Sequence, residues 1–352
     1  MRSMDKRVDP AELKAFLISL LTAHDVSETH ATQMADLLTW ADLRAVASHG
    51  VRQVPRYIAL LESGGINRHP KMVEMIVRPA LARLYVDSAP GAVALGRAVQ
   101  LGIEIAKTQG VAWVQVTKMA HGGAIGYFVE KAAEAGMIGL VMLAGMPNMA
   151  YPGAKPATVA TSPIAIGIPS KDGQPFLLDM ATAAIALAKI RLSRQRGEQL
   201  PVNSAVTAEG KPTTNPDEAA MPLPLGGMKG AGMSLAFELL TSVLSGQPIL
   251  APIHNKAEGA RRYRQNAVMI VVDPSALGSS DEFMADVALT LETIRRLPTV
   301  DADSVVGIPG DRGRAAQRMR SEHGIPLSCS ILQELANLAS AKGLRPLTTR
   351  TG

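Results

Sequence analysis

Cysteine is nearly absent: the 352 residues include one, Cys329. A lone thiol cannot close an internal disulfide, so the sequence predicts a protein of a reducing compartment, the cytoplasm. Cys329 itself reads as a small core residue near the start of a C-terminal helix. Aromatic residues are scarce, at 3%, which excludes the base-stacking platforms of single-stranded nucleic-acid binders. Charge of one sign does not accumulate either. The excess of +5 is scattered along the chain, which suits an enzyme of small anions better than a DNA-binding protein. No apolar run approaches the roughly 20 residues of a membrane span. The first residues, Met1 to Val8, lack the apolar segment of a signal peptide.

Several chemical signatures are also missing. No G-x-G-x-x-G follows a strand, which argues against a standard Rossmann fingerprint, and the glycines around Lys229 lack Walker spacing. No H-E-x-x-H or Cys/His cluster offers a zinc site, so no metal is expected. There is no G-x-S-x-G elbow.

What is present is a large core: 47% of residues are apolar and 19% charged, enough for one large domain or two ordinary ones. Asp9, Pro10 and Glu12 form a helix start, followed by Leu13, Phe16, Leu17, Leu20 and Leu21 on one face. Ser27 opens a second helix carrying Ala31, Met34, Leu37, Leu38 and Ala41. A third, with Val54, Tyr57, Ile58 and Leu61 facing in, stops at Gly64-Gly65. Strands then alternate with helices: strands at 82–87, 111–117, 137–144, 164–168, 176–180 and 267–273, helices at 93–109, 124–135, 182–195, 233–244 and 283–297. Such alternation predicts an α/β sheet. Residues 197–221 read as a long surface excursion, and 328–338 as the core of the last helix. The predicted division is a helical layer from 1–75 plus 300–352, and an α/β unit at 76–299.

The candidate chemistry lies in loops. His49 and His121 each precede glycine where an element ends, and read either as turn residues satisfied by nearby backbone or as proton-transfer groups. The backbone amides of a helix start, as after His121, can hold a phosphate or carboxylate. Lys229, between glycines, reads as an anion contact or a solvated lysine. Asp179 either bonds a cofactor hydroxyl or caps a helix. Asp311-Arg312 either meets a phosphate or is solvated.

Taken in order, these stretches resemble the malate/L-lactate dehydrogenase family with the non-Rossmann NAD(P) fold. The resemblance rests on Ser48-His49-Gly50 with Tyr57 and Asn67, His121 with Gly126-Tyr127, Thr161-Ser162-Pro163 leading to Asp179-Met180-Ala181-Thr182, the run Gly210 to Pro216, Met228-Lys229, and Pro309-Gly310-Asp311. It covers residues 9–338. It implies an α/β fold with a mixed sheet and flanking helices, L-sulfolactate dehydrogenase-like. It also implies a homodimer that uses NAD or NADP to interconvert 2-oxo and 2-hydroxy acids, or to reduce cyclic 2-imino acids. His49 matches the family's proton donor/acceptor, with Ser48 placed to orient its ring, and His121 matches a second active-site histidine. Cofactor contacts map onto Asp179, Met180, Ala181 and Thr182, onto Met228 and Lys229, and onto Gly310, Asp311 and Arg312.

Hydride arriving at a carbonyl carbon leaves negative charge on oxygen, and an imidazolium can stabilise that charge and give up its proton. The chain departs from its relatives at Gln53, where most carry an Arg able to grip the substrate carboxylate. The expectation is that Arg52 or Arg44 takes over. Lys118-Met119, Gly122, Ser162 and Thr207 also differ from the usual residues, which predicts a diverged substrate choice. A protein that keeps the fold and binds dinucleotide without catalysis is the reading from another class.

Overall fold

The structure is a computed structural model describing residues 6–260, 264–301 and 304–349; residues 1–5, part of the segment read for a signal peptide, lie outside them. A short strand, β1 (Lys6–Val8), leads into α1 (Pro10–Thr22). The Asp9 carboxylate accepts from the N–H groups of Ala11 and Glu12, so the predicted cap forms. Ser27 caps α2 (Glu28–Leu43), and α3 (Val54–Glu62) follows. The apolar stripes read from the sequence are the buried ones in all three helices.

The chain then builds its main sheet. β2 (Val73–Arg78) and β3 (Leu81–Tyr85) form a hairpin. α4 (Gly91–Gln109) carries the chain over to β4 (Val111–Met119), parallel to β3, the crossover that a parallel pair requires. Next come α5 (Gly126–Glu134), β5 (Ile138–Ala144), β6 (Ile164–Ile168) and β7 (Phe176–Met180). α6 (Leu187–Arg196) precedes three two-residue strands, β8 (Ala205–Val206), β9 (Pro212–Thr213) and β10 (Met221–Pro222). α7 (Met228–Glu238) and α8 (Leu250–His254) lead to β11 (Gln265–Val272). The chain closes with α9 (Ser280–Arg295), α10 (Asp311–His323), β12 (Ile325–Leu327) and α11 (Cys329–Ser340).

The large sheet runs β2-β3-β4-β11-β5-β6-β7. Apart from the parallel β3–β4 pair, its neighbours are antiparallel, so the predicted mixed sheet is present. β11 inserts between β4 and β5, and Ala267, Val268, Met269 and Val271 are fully buried, as a central strand covered on both faces requires. One core runs from α1 and α2 through α4 and α5 into the sheet. The two chain ends meet where β1 pairs antiparallel with β12. No helix among the described residues is long and apolar enough to cross a membrane.

Four expectations are corrected. The helix predicted from 182 begins at Leu187, because Ala183 bridges to Pro224 in extended backbone. The excursion at 197–221 contributes a three-stranded sheet, β10-β8-β9, above a small core that includes Ile185, Ile190, Leu200 and Ala219. α7 starts at Met228, five residues earlier than the apolar run suggests, and continues as a π-helical turn at Leu239–Val243. Cys329 is exposed at the first position of α11, whose buried face is Ile331, Leu335 and Ala339.

Candidate active site

Asp42, in the last turn of α2, reaches forward to accept the Val51 N–H at 2.7 Å. This bond closes the Ser48-His49-Gly50 corner. A Cβ on Gly50 would lie 2.1 Å from Asp42 Oδ1, so only glycine fits there. Arg320 of α10 donates to the Asp42 carbonyl and braces the corner from behind. Burial pushes the Asp42 carboxyl up to about 7, against the Val51 N–H and the charges of Arg320 and Arg52, which pull it down. A carboxyl with a folded pKa above its unfolded value stabilises the fold most at low pH and loses that contribution as pH rises through about 7. Asp42→Asn keeps an oxygen acceptor for Val51. It is expected to raise the melting temperature at pH 8 and to leave it nearly unchanged at pH 4, with a ceiling of about 4 kcal/mol for a shift of this size. Thermal unfolding at both pH values checks this, and equal effects at both would remove the buried charge from the account.

At the corner, Ser48 Oγ and His49 Nδ1 are 2.9 Å apart, and the Gln53 amide donates to the Ser48 carbonyl at 2.6 Å. The contact with Ser48 bears on which ring nitrogen of His49 carries its proton. The His121 ring stacks on that of His49, with centroids 5.6 Å apart and planes 11° from parallel. Its Nδ1 lies 2.7 Å from the Tyr57 hydroxyl. Gln53, just ahead of α3, thus holds the Ser48 carbonyl, and Tyr57, one helical turn on, reaches His121.

The turn at His121 packs onto the start of α4, where a Cβ on Gly91 would lie 2.1 Å from the His121 carbonyl oxygen. Gly122 N–H donates to Gln265 Oε1 at 2.7 Å. An apolar pocket lined by Met34, Leu37, Tyr57, Ile66 and Pro90 adjoins His121.

Both rings keep some solvent access, yet protein crowds them, and that loss of solvation dominates their proton affinity. His49 is pushed down to about 4 by burial and then by the Arg56 charge. His121 is held well below the usual histidine range by burial, then by His49 and Arg56. The imidazolium expected from the sequence is therefore not the resting form near pH 7, where both rings are neutral.

β7 gathers the second half of the candidate set. Asp179 Oδ2 accepts the Gly126 N–H at 2.8 Å and so caps α5 at the end of the His121 turn. Its surface is open to solvent although protein crowds it on most sides. Lost solvation pushes its carboxyl up to about 6, with the Gly126 N–H pulling it down. Met180 ends β7 in register with Ile164, and Ala181 leads on to Thr182. Thr182 N–H donates to Thr161 O, and Thr182 O accepts from Leu225 N, which ties this segment to the glycine turn before Met228 and Lys229. Gly230 permits that approach: a Cβ there would lie 2.5 Å from Thr182 O. Leu177 N–H donates to Pro309 O, which brings Gly310, Asp311 and Arg312 alongside the same strand. Lys229 and Arg312 are exposed in the first turns of α7 and α10. The three cofactor stretches proposed from sequence therefore converge on one strand and its C-terminal end.

Two candidates change role. Arg44 does not serve as a substrate anchor: it is buried, paired with Glu130 at 2.9 Å, and also donates to Gln317 and to Gly310 O. The Asp311 carboxylate is engaged by Arg295 and Arg314 and by the Ile308 N–H, and these donors hold it below the usual carboxylate range, the Arg295 bond foremost. Asp311 thus shapes the Gly310 loop, its carboxylate bound within the protein rather than solvated. Arg52 is exposed, and its charge is felt by Asp42. Arg56 was not singled out from the sequence, although its charge acts on both histidines. Helical spacing from Gln53 would have pointed to it, since Arg56 and Tyr57 follow at three and four residues.

The site is thus a stacked pair of imidazoles, neutral near pH 7, beside glycine-lined turns and helix starts on a mixed sheet. The chain belongs to the malate/L-lactate dehydrogenase family, whose sequence profile matches residues 8–336. It is 34% identical to the malate dehydrogenase of Pyrococcus horikoshii over 351 residues, 97% of each chain. It is 31% identical to the ureidoglycolate dehydrogenase (NAD(+)) of Escherichia coli O157:H7, covering 87% of this chain and 88% of the relative. The solved sulfolactate dehydrogenase of Methanocaldococcus jannaschii superposes with a TM-score of 0.86 at 31% identity, over 96% of this chain and 98% of that one. The Δ1-piperideine-2-carboxylate reductase of Pseudomonas syringae superposes at 0.84 with 27% identity, over 95% and 99%. The protein is thus an oxidoreductase of this family.

Proposed function

We propose that this protein moves a hydride between a nicotinamide cofactor, NAD or NADP, and a small 2-oxo/2-hydroxy acid, with His49 as the proton donor and acceptor. The observation that carries the reading is the imidazole pair, each Nδ1 within hydrogen-bond reach of a hydroxyl, with the helix that follows His121 joined to β7 through the Gly126–Asp179 bond. The cofactor, when bound, supplies or takes the hydride. The residues fit such a group: Thr182 Oγ1 is buried without a hydrogen-bond partner, and Lys229 and Arg312 stand at helix starts suited to phosphate. Asp179, Met180 and Ala181 with Met228 and Gly310 would complete its cradle. Ser48 would hold the His49 ring, and His121, tied to Tyr57, would support it or exchange roles with it.

A panel of 2-oxo and cyclic 2-imino acids, read at the nicotinamide absorbance with both cofactors, tests the reading. Turnover of at least one 2-oxo acid is expected. Reduction of Δ1-piperideine-2-carboxylate alone would favour the cyclic imine reaction, a reading encouraged by Gln53 and by the reductase among the structural relatives. Cofactor binding without any turnover would indicate a silent dinucleotide-binding protein.

We assign the protein to the cytoplasm and to a homodimer. In support, the exposed strand β2 offers Val73, Met75 and Ile76, each more than half exposed, a surface that an edge strand commonly covers with a second copy. We divide the chain into an end-built helical layer and the α/β unit, drawing the boundary ahead of Val73 because a cut at 75 would pass through β2.

A further inference from the structure

We infer that a second copy of this chain docks on one continuous apolar face, formed by the outer side of α7 with its π-helical turn and by the bare β2–β3 step beside it. The inference rests on the homodimer assigned above and goes beyond it by naming the surface that joins the copies. α7 and its π turn are inside out. Their inner side carries Ser234, Phe237, Glu238, Thr241 and Ser242, all buried. Their outer side carries Leu235, Leu239, Leu240, Val243 and Leu244, between 37% and 60% exposed. From Gly230 to Gly246 the sole charged residue is Glu238, and its carboxylate accepts from the Ile249 and Leu250 N–H groups in the interior. Ser234 donates to Ala160 O, and Ser242 accepts from the Asn266 amide. A helix that faces water carries its polar residues outward; this one turns them in.

Strand register carries the face across the sheet. Gln115 Nε2 donates to Leu240 O and Thr241 O, which seats the π turn on β4. Gln115 lies beside Arg83 of β3, and Arg83 beside Met75 of β2. Tyr85 lies beside Val73, and Leu81 beside Trp113. Ala82 and Leu84 point into the main core, so Leu81, Tyr85, Val73 and Met75 point the other way, to the side of the π turn. α7 and its π turn pack over β4, β11 and β5. They leave these four residues of β2 and β3 between 39% and 56% exposed. The result is a ridge beside a step. Turned about a two-fold axis, the ridge of one copy fills the step of the other, so the same patch meets itself. Nine large side chains at this exposure present on the order of 800 Å², the area each partner gives to a stable dimer. Their apolar makeup also suits a homodimer, whose interface is more apolar than the rest of a protein surface.

Sedimentation equilibrium on the full chain tests this. Wild type is expected to be a dimer. Met75→Glu combined with Leu240→Glu puts one charge on the step and one on the ridge. Like charges then face each other across the axis, and the dimer dissociation constant should rise about 100-fold or more. Met75→Lys combined with Leu240→Lys should do the same. Mixing the two double variants should restore a dimer, because opposite charges then meet. Both positions are exposed, so the fold should hold, and circular dichroism matching wild type checks it. Met319→Glu, at an exposed position of α10 outside the patch, should leave the dimer intact. A dimer untouched by either double variant would overturn the inference and leave the homodimer standing. So would an equal loss in Met319→Glu, or no recovery on mixing. A wild type that is monomeric at every concentration would sink the inference and the homodimer together, and its flotation with phospholipid vesicles would give the face to a membrane instead.

Discussion

Replacing His49 with alanine is expected to lower kcat by about 10²- to 10⁴-fold, the usual contribution of a positioned acid or base, while the nicotinamide cofactor still binds. The side chain sits at the corner's edge and holds no backbone through its ring, so the fold should survive. The wild-type pH profile supplies a second reading. Burial and then Arg56 push His49 down to about 4. In the oxidation direction the neutral ring takes the proton, so kcat/KM should hold from neutral pH down to about 5 and fall through about 4. In the reduction direction the protonated ring gives the proton, so kcat/KM should rise as pH falls toward the same value. A break near 6.5 in both directions, or a His49→Ala enzyme with unchanged turnover, would remove His49 from the role. Stability carries the same sign. A histidine whose folded pKa lies below its unfolded value contributes stability that is complete above about 6.5 and is lost as pH falls through about 4.

Glu130→Ala is expected to destabilise the fold by about 3–5 kcal/mol, the range for stranding one member of a buried ion pair. Glu130 accepts from Arg44 through one oxygen and from Trp40 Nε1 through the other. Arg44 is 5% exposed, so its charge has no route to water once the carboxylate is gone. Arg44 also holds Gly310 O, so the loss should loosen the Gly310 loop as well. Combining Arg44→Met with Glu130→Leu removes both charges and should restore much of the stability. Denaturant unfolding of the three proteins decides the matter. A Glu130→Ala midpoint within experimental scatter of wild type would mean the pair contributes nothing.

Much of the fold was legible because burial writes periodicity into sequence. Strands Ile164–Ile168 and Phe176–Met180 have the predicted bounds, and the first three helices bury the stripes read from spacing. β2 was missed because all six of its residues are exposed and no face alternates. β1 and β12 were missed because three residues carry no period, and they exist only through each other. The early start of α7 was hidden by Gly227, Gly230 and Gly232, which read as loop. Gly230 lies inside the helix, and glycine is needed there because Thr182 O lies against it. Within the site, Ser48, His49, Tyr57 and His121 could be singled out, but the stacking of two rings so distant in sequence could not. Arg44 misled because an arginine near a catalytic motif looks available until its burial is known. The low proton affinity of both histidines is equally a property of their packing.

The corner around His49 is braced by residues from the far end of the chain: Arg320 on Asp42, Gln317 on Arg44, and β12 on β1. During synthesis, an N-terminal segment of this protein emerges long before those braces do. A chain still on the ribosome can assemble most of the sheet yet lacks the back wall of its Ser-His-Gly turn, so competence arrives only with α10 and β12. Premature termination anywhere before Arg320 should therefore yield inert protein rather than a weakened enzyme.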